Sequence, residues 1–322
     1  MNSTQTRKSD HIRICTEKSI ESKKSTLLEC VELEKGNASN VDYSIELFGK
    51  KLNYPIIIAG MTGGVAEAEQ INKNLAKAAE QLGLGFGVGS QRAMLENPEL
   101  QNTYEVRDVA PNILLFGNIG ASQLSEYSIE QIENSALAIG SDVLAVHLNE
   151  IQEKLQPEGT WKNYSEQLKQ LCSSLKIPVI VKETGMGISE QTANSLKDSG
   201  IAGIDIGGAG GTSFACVELE RSGENTDGAD SGIPTAASIL QVRKVFQTLP
   251  LIATGGIRSG EDIAKAIALG ADTAGIALPL LKPAQESSEA VLTVLERFIS
   301  ELKQIDIKQS KPKITGELSK WV

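Results

Sequence analysis

From Tyr54 onward the chain alternates between short apolar runs and longer amphipathic stretches. The apolar runs are 55–60, 84–89, 113–117, 142–147, 178–182, 201–206, 250–254 and 272–277, and they are often β-branched. Near-continuous apolar runs of this length fit strands that are covered on both faces, as in a parallel sheet. Between them the spacing becomes helical. Ile71, Leu75, Ala78 and Leu82 recur at steps of four, three and four, which gathers them on one face. Ser128 and Gln131 have capping-box spacing ahead of a stripe of Ile129, Ile132, Ala136 and Ile139. Ser259 and Asp262 give the same start signal for a helix over 261–269. The connection after 84–89 is less regular, because Pro98 interrupts it.

Eight buried-type strands alternating with helices predict an α/β chain forming a closed (β/α)8 TIM barrel. A doubly wound open sheet is the competing architecture, but no G-x-G-x-x-G follows the first run. Residues 1–50 are polar and charge-dense and read as an N-terminal segment, with 51–322 as the barrel. Residues 220–233 are polar and glycine-rich, the composition of a loop or lid after the sixth strand.

Charge and composition narrow the chemistry. With 31 Lys and Arg against 41 Asp and Glu, the net charge of −10 argues against a sequence-independent grip on nucleic acid. Two histidines exclude a three-His metal site, and 4% aromatics are too few for base-stacking platforms. Cys15, Cys30, Cys172 and Cys216 form no C-x-x-C pair, so zinc and redox motifs are unsupported. Scattered thiols, an opening without an apolar leader core and no run near the ~18 residues of a membrane helix predict a soluble cytoplasmic protein.

Barrel active sites lie at the C-terminal strand ends, so the residues just beyond each run are the candidates. The rim collects Met61-Thr62-Gly63-Gly64, Gly89-Ser90-Gln91-Arg92, Asn118, His147-Leu148-Asn149 with Gln152 and Glu153, Lys182-Glu183, 207–212 and Thr254–Gly260. Glycines after strands six to eight let backbone N–H groups approach an anion, and a helix N-terminus adds positive potential. Lys182 ends an apolar strand and points into the predicted mouth, where it suits a Schiff base or the charge of a reduced flavin. A carboxylate beside amides, as at Asn149, Gln152 and Glu153, suits Mg²⁺. Arg7, Lys8 and His11 read alone as a solvated tail, and alternatively as a diphosphate clamp.

Taken in order, R-K-x-x-H at 7–11, M-T-G-G at 61–64, G-S-Q-R at 89–92, H-L-N-x-x-Q-E at 147–153, V-K-E at 181–183, G-G-x-G-G-T-S at 207–213, G-I-P-T at 232–235 and G-G-I-R-S-G at 255–260 resemble the flavin-dependent type 2 isopentenyl diphosphate isomerases. The match runs from Arg7 to about Leu281. The resemblance implies an FMN enzyme that interconverts isopentenyl and dimethylallyl diphosphates with Mg²⁺ and a flavin reduced by NADPH or another donor. It also implies a homotetramer or homo-octamer in isoprenoid biosynthesis. By resemblance, Met61, Thr62, Gly63, Ser90 and Asn118 meet the flavin ring and Lys182 its N1 edge. Thr212, Gly255, Gly256, Arg258, Ala277 and Leu278 hold the ribityl and phosphate groups. Arg7, Lys8, His11, Arg92, His147 and Asn149 grip the substrate diphosphate, Glu153 binds Mg²⁺, Gln152 sits beside the allylic carbons, and Glu218 takes an acidic catalytic position. Phe214 and Ser231 stand where the family commonly has Trp, which predicts a looser loop over 220–233. Three other readings stand beside it: an aldolase-like barrel with Lys182 as the Schiff-base residue, an FMN hydroxy-acid oxidase, and a flavin-binding scaffold. The oxidase wants a histidine near the end of strand seven, and none follows His147.

Overall fold

The structure is a computed structural model, which describes residues 3–322 apart from 19, 23, 34–37, 39–40, 149–163 and 225–231. Eight parallel strands close into a barrel: β1 (Ile56–Ile58), β2 (Gly85–Gly87), β3 (Leu114–Gly120), β4 (Val143–His147), β5 (Val179–Lys182), β6 (Gly203–Asp205), β7 (Leu251–Thr254) and β8 (Thr273–Ile276). Each falls in or on one of the eight apolar runs. β8 pairs with β1 through Ala274–Ile56 to Ile276–Ile58, which completes the ring. An open sheet is thereby excluded.

Helices wrap the ring in the expected alternation. α1 (Ser3–Glu17) precedes the barrel. α2 (Ala66–Leu82), α3 (Arg92–Glu96), α4 (Ile129–Ala138), α5 (Ser165–Ser174) and α6 (Glu190–Ser195) follow β1 to β5. After β6 come α7 (Phe214–Ser222) and α8 (Thr235–Val245), after β7 comes α9 (Gly260–Ala268), and after β8 come α10 (Leu278–Glu286) and α11 (Ser288–Leu302). The predicted stripe of α2 is the buried one, with Ile71, Leu75 and Ala78 in the core and Leu82 packed at its edge. α2 stops at Gly83, whose φ of 65° suits glycine. Ser128 and Gln131 form the reciprocal capping box, at 3.2 and 2.9 Å. Pro98 opens a short 3-10 turn capped by Asn97, whose side chain accepts from the Glu99 N–H.

The opposite end of the barrel is plugged. Ile45–Leu47 pairs with Lys50–Leu52 across a tight turn, so the boundary expected at 50/51 runs through a hairpin. Leu47 and Leu52 insert among Ile57, Leu114, Phe116, Val143, Ala145, Ile180 and Ile252, and the Phe48 ring meets Phe116 edge-on at 6.0 Å. With that end filled, the other mouth is the accessible one. α1 packs over that mouth against α7 and α10. No described helix is long and apolar enough to cross a membrane.

Candidate active site

Two clefts meet at the C-terminal mouth and share Gly60, Lys182, Thr184 and Phe214. The first, of about 570 Å³, is a backbone cradle made by the loops after β6, β7 and β8. Gly255 (φ 120°) and Gly256 (φ 70°) lie in conformations that favour glycine. A Cβ on Gly255 would enter the Gly208 backbone, and one on Gly256 the Gly210 carbonyl. Side chains are thus excluded from a surface where a ligand can approach main chain. Thr235 Oγ1 donates to the Gly255 carbonyl at 2.7 Å and ties the two loops together. Thr212, Arg258, Ala277 and Leu278 also line this cleft.

A strap from the N-terminal segment crosses the same loops. Ser22 N–H donates to the Gly211 carbonyl (2.7 Å), Ser213 N–H to Ile20 (3.0 Å) and Ala236 N–H to Thr26 (3.0 Å). Arg258 Nε donates to Glu21 Oε1 at 3.0 Å, so this guanidinium is shared between the strap and the cleft. Nothing in the sequence motifs pointed to Glu21.

The second cleft, of about 700 Å³, is cationic. Arg7 and Lys8 reach it from α1, Arg92 from α3 and Lys182 from the end of β5. Burial and the neighbouring Arg7 and Arg92 guanidiniums pull the Lys8 ammonium down to about 8. Arg92 is steadied by Glu96, Nε to Oε1 at 2.8 Å. Like charges gathered in a partly desolvated cleft are costly in themselves, and an anion relieves that cost. Met61, Ser90, Asn118, His147 and His11 also line it. The N-terminal triplet therefore lies in the mouth and is not a solvated tail.

His147 closes β4 beside Asn118 of β3, with Nδ1 and Asn118 Oδ1 2.8 Å apart. Burial first, then Lys182 and Lys8, push its ring down to about 3. Lys182 Nζ donates to the Glu183 carbonyl (2.9 Å) and Thr184 Oγ1 (3.3 Å), which turns it toward the mouth. Asp205, its register partner on β6, is a buried carboxyl that sequence reading missed. Burial raises its pKa against the pull of Lys182. Its signal was a charge at the end of an apolar strand.

Several expected residues take supporting places. Glu218 is 2% exposed and is held between His11 Nε2 and Arg221 Nε, each at 2.8 Å. It lines none of the clefts at the mouth and sits behind His11, whose ring meets Phe214 edge-on at 6.0 Å. Burial lowers the His11 pKa, while the Glu218 hydrogen bond opposes that shift. Gly63 packs under the Tyr104 ring, where a Cβ would collide with it. Gln91, fully buried, accepts from Asn118 N–H (3.0 Å) and donates to the Ser135 carbonyl (2.7 Å), so it braces β3. Asn149, Gln152 and Glu153 lie outside the described residues, as does Ser231 with half of the predicted lid. Among the described residues no group of three or more His, Cys, Asp or Glu is placed to hold a metal.

Comparison with known proteins decides between the readings. The chain is 45% identical over 350 residues to the isopentenyl-diphosphate delta-isomerase of Methanococcus maripaludis, covering 99% of this chain and 98% of that one. It is 41% identical to that of Archaeoglobus fulgidus, with 99% of each chain covered. This chain belongs to the isopentenyl-diphosphate delta-isomerase family. Residues 122–305 also match the FMN-dependent dehydrogenase family. The fold is that of solved mandelate oxidases, for example one with (S)-mandelic acid at a TM-score of 0.65, 15% identity and 96% and 94% coverage. A second, with (S)-2-phenylpropionate, has a TM-score of 0.62 and 16% identity, with 90% and 88% coverage. As a member of the isomerase family the chain is an enzyme, which removes the scaffold reading.

The residues present fit FMN. The glycine cradle suits a phosphate, and Thr62 Oγ1 is buried on an apolar wall without a hydrogen-bond partner. An isolated buried hydroxyl costs stability unless a ligand completes it. Met61, Phe214, Leu278 and Leu281 supply apolar surface beside it that suits an aromatic ring.

Proposed function

We propose that this protein interconverts isopentenyl and dimethylallyl diphosphates by protonating the alkene and removing a proton from the neighbouring carbon, using reduced FMN and Mg²⁺. The observation that carries this reading is the juxtaposition of a cationic cleft and a glycine cradle, joined at Lys182. One cleft suits the charged end of the substrate, the other the phosphate end of the cofactor. When bound, reduced FMN supplies an acid/base nitrogen and an electron-rich face against a tertiary cation. Arg7, Lys8 and Arg92 anchor the diphosphate and so fix how far the alkene reaches toward the ring. Lys182, shared by the two clefts, would face the ring of a bound flavin and favour its anionic reduced form. The apolar wall of Ile12, Met61 and Phe214 keeps water from a cation that water would quench.

In this reading Asn149 and His147 also bind the diphosphate, Glu153 binds Mg²⁺, Gln152 acts near the allylic carbons, and Glu218 acts on the site through His11, which it holds at 2.8 Å. NADPH as the reductant and a tetramer or octamer follow from the family resemblance, and a cytoplasmic location from the scattered, unpaired thiols. The test is an anaerobic assay of isopentenyl diphosphate with FMN, Mg²⁺ and dithionite. Dimethylallyl diphosphate is the expected product. Its absence, with flavin shown to be bound, would refute the assignment.

A further inference from the structure

The His147 ring has a fixed proton. Val88 carbonyl accepts from Asn118 Nδ2 at 3.1 Å, and a carbonyl can only accept. The Asn118 amide therefore has one orientation, with Oδ1 toward His147. That oxygen is also only an acceptor, so His147 Nδ1 must carry the hydrogen. The hydrogen-bond network settles the tautomer. In the neutral ring, Nε2 is then a bare lone pair. It has no hydrogen-bond partner among the described residues. Glycine at 120 keeps its approach clear, since a Cβ there would stand 2.9 Å from Nε2.

Burial first, and then the charged surroundings, keep this ring neutral. Lys8 on α1 and Lys182 on β5 both disfavour the imidazolium. Arg7, beside Lys8, and Arg92 on α3 line the same cleft. The groups packed nearest from β3 and the turn after it, Asn118 and Gln123, are uncharged. A neutral Nε2 cannot donate to a phosphate oxygen, and two acceptors facing each other repel. Entry of a diphosphate opposes that field, because a negative oxygen in contact with Nε2 favours the charged ring and partly neutralises the cations around it.

We propose that His147 is a proton-uptake residue: neutral in the free enzyme with Nδ1–H on Asn118, it binds a solvent proton at Nε2 when a diphosphate enters, and donates that proton to a phosphate oxygen in a hydrogen bond. Only an N–H bond is made, and the proton returns to solvent on release. Asn118 is the positioning residue, because its amide directs the new proton to the cleft side. This inference rests on the diphosphate reading of the cleft.

The chain has only two histidines, so ¹⁵N-histidine NMR of the FMN-loaded protein resolves both rings. The probe is inorganic pyrophosphate at pH 7, with binding followed separately by calorimetry. His147→Gln assigns the signals, and His11→Gln assigns them by elimination if the first variant does not fold. We expect the free protein to show His147 as the neutral Nδ1–H form, and the bound protein as imidazolium. Calorimetry in buffers of different ionisation enthalpy should show wild type taking up close to one proton more than His147→Gln. A ring that stays neutral with pyrophosphate bound, or is already charged without it, overturns the inference and leaves the proposed function standing. No pyrophosphate binding at all would overturn both.

Discussion

Lys8 gives the most direct measure of how the cleft trades stability for binding. Its pKa of about 8, against an ordinary 10.5, means that holding the charge at neutral pH costs the folded protein about 3 kcal/mol. Lys8 is half-buried, and water at the cleft opening reduces that to about 1–2 kcal/mol. Below pH 8 the ammonium is charged in both folded and unfolded chains, and the cost is borne in full. Between pH 8 and 10.5 the folded chain loses this proton first, the unfolded chain binds more protons, and Lys8's contribution to stability rises with pH. Lys8→Met keeps an unbranched side chain, one atom shorter, and removes the charge. The ligand-free variant should be more stable than wild type at pH 7 by about 1–2 kcal/mol, measured by urea unfolding. The advantage should shrink as pH climbs past 8. Pyrophosphate binding should weaken by about 10- to 150-fold, the loss of a charged hydrogen bond worth roughly 1.5–3 kcal/mol. A variant that is less stable at pH 7 and binds pyrophosphate normally would refute the electrostatic account, showing that Lys8 serves packing alone.

Two further substitutions test the cradle and its strap. Gly255→Ala puts a side chain at φ 120° and into the Gly208 backbone. It should cost at least about 1–3 kcal/mol in stability and abolish FMN retention, and normal flavin content with unchanged melting would contradict the cradle. Glu21→Gln removes the carboxylate that Arg258 grips from the strap. The pair is partly exposed and worth at most about 1 kcal/mol, so FMN should leave up to about fivefold faster, followed by recovery of free-flavin fluorescence. A release rate equal to wild type would show that the strap does not hold the cofactor.

The barrel was legible because its signals are local. Eight apolar runs, a capping box at Ser128 and helix stripes such as Ile71–Leu75–Ala78 depend on neighbours within a few residues. The glycine positions were legible for a related reason: backbone contact leaves no room for a Cβ, and that constraint is written directly as residue type. What could not be read is every arrangement that pairs distant polar groups. The side chains of Glu21 and Arg258 lie 237 positions apart and His11 and Glu218 lie 207 apart. No periodicity records such pairings. Arg7 and Lys8 are ambiguous for the same reason, because a basic pair on a polar segment is a tail until α1 folds over the mouth.

That placement explains why an acidic chain can bind an anionic substrate. Of the residues that the barrel's own strands contribute to the cationic cleft, only Lys182 is a cation, beside Asn118 and the neutral His147. Arg7 and Lys8 arrive on α1, and Arg92 on a helix of five residues, α3. Positive charge is thus concentrated by elements laid over the mouth, while the strap continuing from α1 covers the cofactor cradle. One segment therefore joins both halves of the site. A ligand that orders the strap also orders the helix carrying two of the diphosphate cations, so FMN and diphosphate should each tighten binding of the other by the same factor. Pyrophosphate affinity measured with and without FMN, set against FMN affinity with and without pyrophosphate, gives that factor twice. Equal affinities throughout would mean that strap and helix move independently, and the N-terminal segment would then be two separate attachments on one barrel.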